Sequence, residues 1–285
     1  MKRLAVAAFA FLLISAALPC SAQQKEKRRP GPFLIWGTVH IIRDERVTIT
    51  MKNGEPVEGE RVLVHTLTYN EDGTKQEDTS YQPDGSIMFR IVYLYDADGK
   101  ILETTHFNGK DTVQTREVSH YNDQKRVSER ITYRADDSVL GKQIYSYNGN
   151  QRIIESTMYG PNGAILRQST TTSYLQPNRA ESLDYDGKRV VKSESSVTRT
   201  PEGGQMYETQ TDGKTTRKEA YNPVEKGGNE RVQYNPDGTI KSRERFTREF
   251  DSHGNMIKTT RSVATGDSAD FVPMDVTYRT IEYYQ

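Results

Sequence analysis

Aromatic residues recur through the middle of this chain at two alternating intervals. Tyr69, Tyr81, Tyr95, Phe107, Tyr121, Tyr133, Tyr147 and Tyr159 stand 12, 14, 12, 14, 12, 14 and 12 residues apart, so two interleaved series share a 26-residue period. A fixed period of this length marks a repeat architecture, in which each unit buries its apolar side only against its neighbours. It also weighs against an enzyme, because a repeated unit seldom carries one unique constellation of catalytic groups.

Each aromatic closes a run of about eight to ten strand-forming residues and opens a turn of one type. Tyr69-Asn-Glu-Asp-Gly73, Tyr81-Gln-Pro-Asp-Gly85, Tyr95-Asp-Ala-Asp-Gly99, Tyr159-Gly-Pro-Asn-Gly163 and Tyr234-Asn-Pro-Asp-Gly238 are examples. Proline presets the first central residue, aspartate tolerates the bridge region, and glycine accepts positive φ, which together specify a type I turn ending in a left-handed residue. Such a loop pairs the aromatic at n with residue n+6. The partners of Tyr81, Tyr95, Phe107, Tyr121, Tyr133, Tyr147 and Tyr159 are then Ile87, Ile101, Val113, Val127, Val139, Ile153 and Ile165, all β-branched. Tyr185 with Val191, Tyr234 with Ile240 and Phe250 with Met256 continue the rule, whereas Tyr69 with Lys75 and Tyr174 with Ala180 weaken it. An aromatic facing a β-branched residue across an antiparallel pair contributes about 0.2–1 kcal/mol. The expected fold is all-β, an extended antiparallel meander of β-hairpin repeats whose sheet curls and whose hairpins carry one aromatic clamp each.

Outside the regular array the reading is coarser. Residues 1–22 form a secretory signal, with basic Lys2 and Arg3, an apolar run from Leu4 to Leu18, and Cys20-Ser21-Ala22 before an expected cleavage at Gln23. A lipoprotein anchored through Cys20 is the competing reading, disfavoured by Pro19 beside the cysteine. Residues 23–32 are a polar linker, 33–68 an N-terminal β cap, 69–217 the hairpin array, and 218–285 the C-terminal repeats and cap. In the N-terminal cap we expect strands at Phe33–Ile42, Val47–Met51 and Arg61–Tyr69, with turns at Arg43–Arg46 and Asn53-Gly54. A bulge near Gln176–Asn178 accounts for the 15- and 11-residue spacings around Tyr174.

Composition narrows the function classes. Cys20 is the only cysteine and leaves with the signal, which excludes disulfides and thiolate metal sites from the mature chain. Losing Lys2 and Arg3 takes the basic count from 39 to 37 against 39 acidic residues, a net charge of −2, unlike a nucleic-acid binder. Hydrophobic content is 34%, yet seventeen tyrosines argue against disorder and for a thin β structure with much exposed surface. The five histidines have no metal-ligand spacing, and no cofactor is expected.

One pattern carries chemistry. Glu77, Glu103, Glu129, Glu155 and Glu181 are each one period apart and each four residues before an aromatic, hence on its sheet face. Two strands per period separates them by roughly 9.5 Å. The pairing rule places Glu103 opposite Tyr93 and Glu155 opposite Tyr145, whose hydroxyls could satisfy the carboxylates. Three readings are open: a consensus residue that organises the sheet face, an acidic stripe with tyrosines for cations or polar glycans, and a carboxylate hydrolase, which five equivalent groups fit poorly. The aspartates of Asp96-Ala-Asp-Gly99 resemble a piece of a calcium loop but lack its closing glutamate, leaving turn chemistry.

The Tyr-Asp/Asn-x-x-Gly turns at these intervals resemble the bacterial YD-repeat, or rearrangement-hotspot (RHS), family. The resemblance runs over residues 69–260, and Phe250-Asp-Ser-His-Gly-Asn-Met-Ile-Lys258 is its most typical stretch. Large members of that family wrap their repeats into a hollow shell around a toxin, whereas this chain shows no self-cleaving core or toxin segment. The resemblance implies a curling β-sheet at the cell envelope. The expected function is a non-enzymatic secreted or periplasmic scaffold or binding module, with an envelope protein or polysaccharide as partner and no nucleic acid.

Overall fold

A computed structural model describes residues 35, 37–147, 153–174, 179–185 and 190–285. The signal segment with Cys20, the linker and the bulge expected at 176–178 lie outside them. The fold is all-β and antiparallel throughout. Its strands are β1 (Val39–Lys52), β2 (Glu55–Glu58), β3 (Val62–Tyr69), β4 (Lys75–Tyr81), β5 (Ile87–Tyr95), β6 (Ile101–Asn108), β7 (Val113–Tyr121), β8 (Val127–Arg134), β9 (Val139–Tyr147) and β10 (Ile153–Tyr159). They continue as β11 (Ile165–Tyr174), β12 (Arg179–Tyr185), β13 (Val190–Arg199), β14 (Gln205–Thr211), β15 (Lys214–Pro223), β16 (Asn229–Tyr234), β17 (Ile240–Phe250), β18 (Met256–Thr265) and β19 (Val272–Tyr283). Among the described residues the only helical element is a single 3-10 turn, Glu225–Gly227.

The expected turn chemistry is present. In the turn after Tyr69, the Gly73 amide donates to the Asn70 carbonyl at 2.9 Å and the Asn70 amide to the Thr74 carbonyl at 2.8 Å, and this pair of bonds recurs after Tyr81, Tyr95, Tyr159, Tyr234 and Phe250. Gly73, Gly85, Gly99, Gly163, Gly238 and Gly254 hold φ between 75° and 89°. Three turns place Asp111, Lys125 and Asp137 in that left-handed position, at φ 58° to 60°.

The n+6 pairing is seen for Tyr69, Tyr81, Tyr95, Phe107, Tyr121, Tyr133, Tyr159, Tyr234 and Phe250, each followed by a one-residue register shift. It is not seen at three positions. Tyr147 faces Ile154 instead of Ile153, Tyr174 faces Arg179, and Tyr185 faces Val190, because those hairpins pair without the shift.

The N-terminal segment departs from expectation in an informative way. Instead of turning at Arg43–Arg46, β1 runs unbroken through these four charged residues. It pairs with β19 from Val39 to Thr48 and with β3 from Ile41 to Arg46. The charges are tolerated because each neighbour offers partners: Arg43 pairs with Glu282, Asp44 with Arg279, and Glu45 lies 3.9 Å from Arg61. Since β3 to β19 pair consecutively, β1 joins the two ends of the meander. Of the nineteen strands, only β2 stands outside this ring, pairing with the far end of β1 as a projecting hairpin. Asn53 and Gly54 close that hairpin at φ 54° and 84°, as their sequence predicts.

Among the described residues buried apolar side chains are few, lying on β1, β18 and β19 at the closure and on β15 and β16 apart from it. Val47 and Val276 face each other across β1 and β19, and Ala220 faces Val232 across β15 and β16, all at most 4% exposed. Elsewhere the sheet is a single layer, half-exposed on both sides.

Candidate functional site

Cross-strand partners share a face, so the register assigns every side chain to one of two surfaces. Glu77 faces Val92, which faces Thr105, then Arg116 and Tyr133, tracing one surface across β4 to β8. Glu103, Glu129 and Glu155 lie on this same face, and so do Tyr81, Phe107, Tyr133 and Tyr159, four residues further along the same strands. Glu181 continues the row, with Thr172 and Glu194 as its register partners.

The carboxylates of this ladder are engaged by cations thirteen residues later. Arg90 reaches Glu77 at 3.1 Å and Arg116 reaches Glu103 at 3.0 Å, while Lys142 pairs with Glu129. Each arginine also holds the left-handed aspartate of the next turn at the same rim, Arg90 with Asp111 at 2.5 Å and Arg116 with Asp137 at 2.9 Å. Each guanidinium lies over the next aromatic of the series, Arg90 over Phe107 at 4.1 Å and Arg116 over Tyr133 at 4.6 Å. Threonine hydroxyls two residues on donate to the same carboxylates, Thr79 to Glu77 and Thr105 to Glu103. One unit is therefore a Glu–Arg–Asp chain roofed on an aromatic ring. The sequence carried a signal for it: Arg90, Arg116 and Lys142 have the same 26-residue period, half a period out of phase with the glutamates. Position 168 breaks the series with glutamine, and Glu155 instead accepts from Ser146 at 3.0 Å.

Tyr93 and Tyr145 do not join the ladder. Glu103 faces Leu94 and Glu155 faces Ser146, whereas Tyr93 faces Thr104 and Tyr145 faces Ser156, on the opposite surface. The error is one residue, and its cause is physical. Beyond Tyr95 the bulge inserts an extra residue into β6, and a one-residue slip moves a side chain to the other face. Beyond Tyr147 the hairpin lacks the assumed offset. Tyr93 instead sits beside Tyr95, with ring centroids 6.5 Å apart, and Tyr145 lies 5.8 Å from the Arg130 guanidinium.

The second aromatic series uses its hydroxyls on this opposite surface. Tyr95 donates to the Lys75 carbonyl at 2.8 Å, Tyr121 to Ile101 at 2.8 Å and Tyr147 to Val127 at 2.7 Å, always twenty residues back. Tyr284 closes the row by donating to the Tyr69 carbonyl at 2.5 Å. Burial pushes the Tyr95 phenol up to about 12. At the turn after Tyr95, Asp98 pairs with Lys125 at 2.9 Å and Asp96 accepts from the backbone amides of Asp98 and Lys100, which is turn chemistry.

A polar cluster at the closure was not legible in the sequence. His65 Nε2 lies 2.6 Å from Asp78 and its Nδ1 3.9 Å from Asp44. Asp44 accepts two bonds from Arg279 at 2.7 Å, and Lys75 donates to Asp78 at 2.9 Å. Asp44 and Asp78 hold His65 up at about 9. Burial acts to raise both carboxyls, but Arg279 and His65 around Asp44, and His65 and Lys75 around Asp78, outweigh it and keep them low. The row Arg279–Asp44–His65–Asp78–Lys75 thus alternates in charge across β19, β1, β3 and β4. Among the described residues no group of His, Cys, Asp and Glu is arranged to hold a metal ion.

No protein-family model matches the chain, and no curated protein matches it. Solved structures give distant likenesses. A porin-like protein from Bacteroides uniformis aligns over 86% of this chain and 96% of its own, at 13% identity and TM-score 0.41. A porin-like protein from Bacteroides vulgatus aligns over 86% and 98%, at 9% identity and TM-score 0.30. The TcdB2-TccC3-Cdc42 complex aligns over 74% of this chain and 16% of its own, at 9% identity and TM-score 0.21.

Proposed function

We propose that this protein is a non-enzymatic β-repeat scaffold of the bacterial envelope, exported by its N-terminal signal and built from YD-like hairpins. The observation that carries this reading is the state of its rings. Of the tyrosines whose side chains are described, only Tyr207 is exposed, at 39%. A glycan platform needs several solvent-facing rings on one surface, whereas here the hydroxyls of Tyr95, Tyr121 and Tyr147 are spent on backbone carbonyls and the rings of Phe107 and Tyr133 lie under arginines. Glu77, Glu103 and Glu129 of the ladder are likewise engaged in ion pairs of one kind, which gives them no separate acid and base roles and speaks against a carboxylate hydrolase.

Charges at mid-strand on both faces support a water-exposed location. Arg90 and Arg116 lie on one face, Asp78 and Arg130 on the other, and no helix among the described residues is long and apolar enough to cross a membrane. A lipid-facing barrel surface would charge about 2–4 kcal/mol for each mid-depth arginine.

The test is retention of the exported protein on isolated cell wall and a panel of insoluble polysaccharides, alongside co-purification from envelope extracts. The scaffold reading expects no saturable retention and recovery with protein partners. Saturable polysaccharide binding that is lost on replacing Tyr207 would overturn it in favour of the glycan reading.

A further inference from the structure

The two ends of the ring differ. Strand direction alternates, so the turns after Tyr81, Phe107, Tyr133 and Tyr159 share one end with the projecting β1–β2 hairpin, and the turns after Tyr69, Tyr95, Tyr121 and Tyr147 share the other. At the hairpin end several strands open on exposed apolar residues: Met88 at 50% in β5, Val113 at 37% in β7, Val139 and Leu140 at 39% in β9, and Ile165 at 43% and Leu166 at 49% in β11. The hairpin adds Met51 and Val57, and the adjacent start of β19 adds Val272 and Met274, each between 37% and 48% exposed. Among the described residues at the other end, Leu94, Leu102, Tyr207 and Phe250 are comparably exposed, and the hydroxyls of Tyr95, Tyr121 and Tyr147 seal the rim.

We propose that the hairpin end is a self-association face that seats a second copy of this chain, rim against rim. Two features commit the occupant. The exposed apolar residues Met88, Val113, Val139 and Ile165 recur once per two strands, at a pitch of about 9.6 Å. A partner that engages more than one of them must present apolar groups at that same pitch, and a two-fold-related copy of the rim does so by construction. The turn tips between these residues carry both signs, Lys110 and Arg134 beside Asp84, Asp111, Asp136 and Asp137, with Asp111 and Asp137 already paired to Arg90 and Arg116. The area is also of the right size. Ten side chains exposing on the order of 70 Å² each present about 700 Å² in all, near the ~800 Å² per partner of a stable interface. This inference stands independently of the scaffold reading.

The test is the mass of the exported protein in solution by light scattering, from micromolar to millimolar concentration. A dimer is expected, weakened at least about tenfold by the pair Leu140→Lys and Leu166→Lys, and unchanged by the pair Leu94→Lys and Leu102→Lys at the other end. Circular dichroism confirms that each variant keeps its β structure, and Met88→Ser with Leu166→Ser serves should the lysine pair misfold. A wild-type monomer throughout, or a dimer indifferent to the hairpin-end substitutions, or equally weakened by the other-end pair, overturns the proposal. Co-sedimentation of a monomer with phosphatidylcholine vesicles would overturn it too, assigning the apolar end to a lipid surface.

Discussion

Tyr121 shows what a single repeat residue does here. Its ring faces Val127 across the hairpin and its hydroxyl donates to the Ile101 carbonyl, so it ties its own turn to the neighbouring turn at the same rim. Tyr121→Phe should cost about 0.5–1.5 kcal/mol by stranding that carbonyl, and Tyr121→Ala about 1–3 kcal/mol with the ring gone as well. An unchanged urea midpoint for the alanine variant would refute the clamp. Lys125 tests the turn itself. It holds φ 60°, a conformation that costs an L-residue roughly 1–2 kcal/mol and glycine little. Its ion pair with Asp98 is exposed on both sides and adds little. Lys125→Gly should therefore stabilise the protein, seen as a higher midpoint in thermal melts. The pairing of Tyr121 with Val127 was readable from sequence because both residues lie within one hairpin, where turn type alone sets the offset. Tyr93 was misread for the complementary reason, since one bulged residue reverses the face and leaves no trace in spacing.

At the scale of the strand, charge placement matters more than apolar burial. The Arg116 guanidinium binds Glu103, Asp137 and the Tyr133 ring together, so Arg116→Met should destabilise by about 1–3 kcal/mol, more than a lone surface pair. A loss no larger than for Arg134→Met, whose partners are one hydroxyl and one carbonyl, would count against the ladder. At the closing strands the prediction concerns pH. The folded-state value of His65 is raised from 6.5 to about 9, so its contribution is fully present below pH 6.5 and is lost as pH rises through 9. Asp44 and Asp78 are held below 3.8, so theirs is present above that value and fades as pH falls beneath it. Unfolding midpoints should decline between pH 6.5 and 9, and His65→Asn should flatten that decline. An equally steep decline in the variant would sink the assignment. The ladder was half legible, because its glutamates and its arginines each keep the period, while the His65 cluster was not. Its members come from β19, β1, β3 and β4, residues 44 and 279 being 235 positions apart.

The whole molecule is a ring because β1 has a partner on each side. Eighteen strands about 4.8 Å apart and tilted by about 40° would enclose a circle of mean radius about 18 Å, too wide for side chains alone to fill. That accounts for a sheet half-exposed on both faces with few buried apolar side chains among the described residues. Removing residues 33–52 should leave the edges of β3 and β19 bare, and edge strands of that length invite aggregation. We expect that deletion variant to form soluble oligomers or precipitate, while deletion of the hairpin tip 53–54 leaves the ring intact. A monomeric, fully folded deletion variant would argue against closure. The sequence by itself determined the period, the turn chemistry, most hairpin registers and the all-β class, since each depends on contacts between residues a few positions apart. Only the tertiary structure decided that the two ends pair with each other, that a charged tetrapeptide belongs inside a strand and not in a turn, and which residues share a face. Those outcomes depend on partners brought together from opposite ends of the chain and on single-residue bulges, and neither leaves a periodic mark in the sequence.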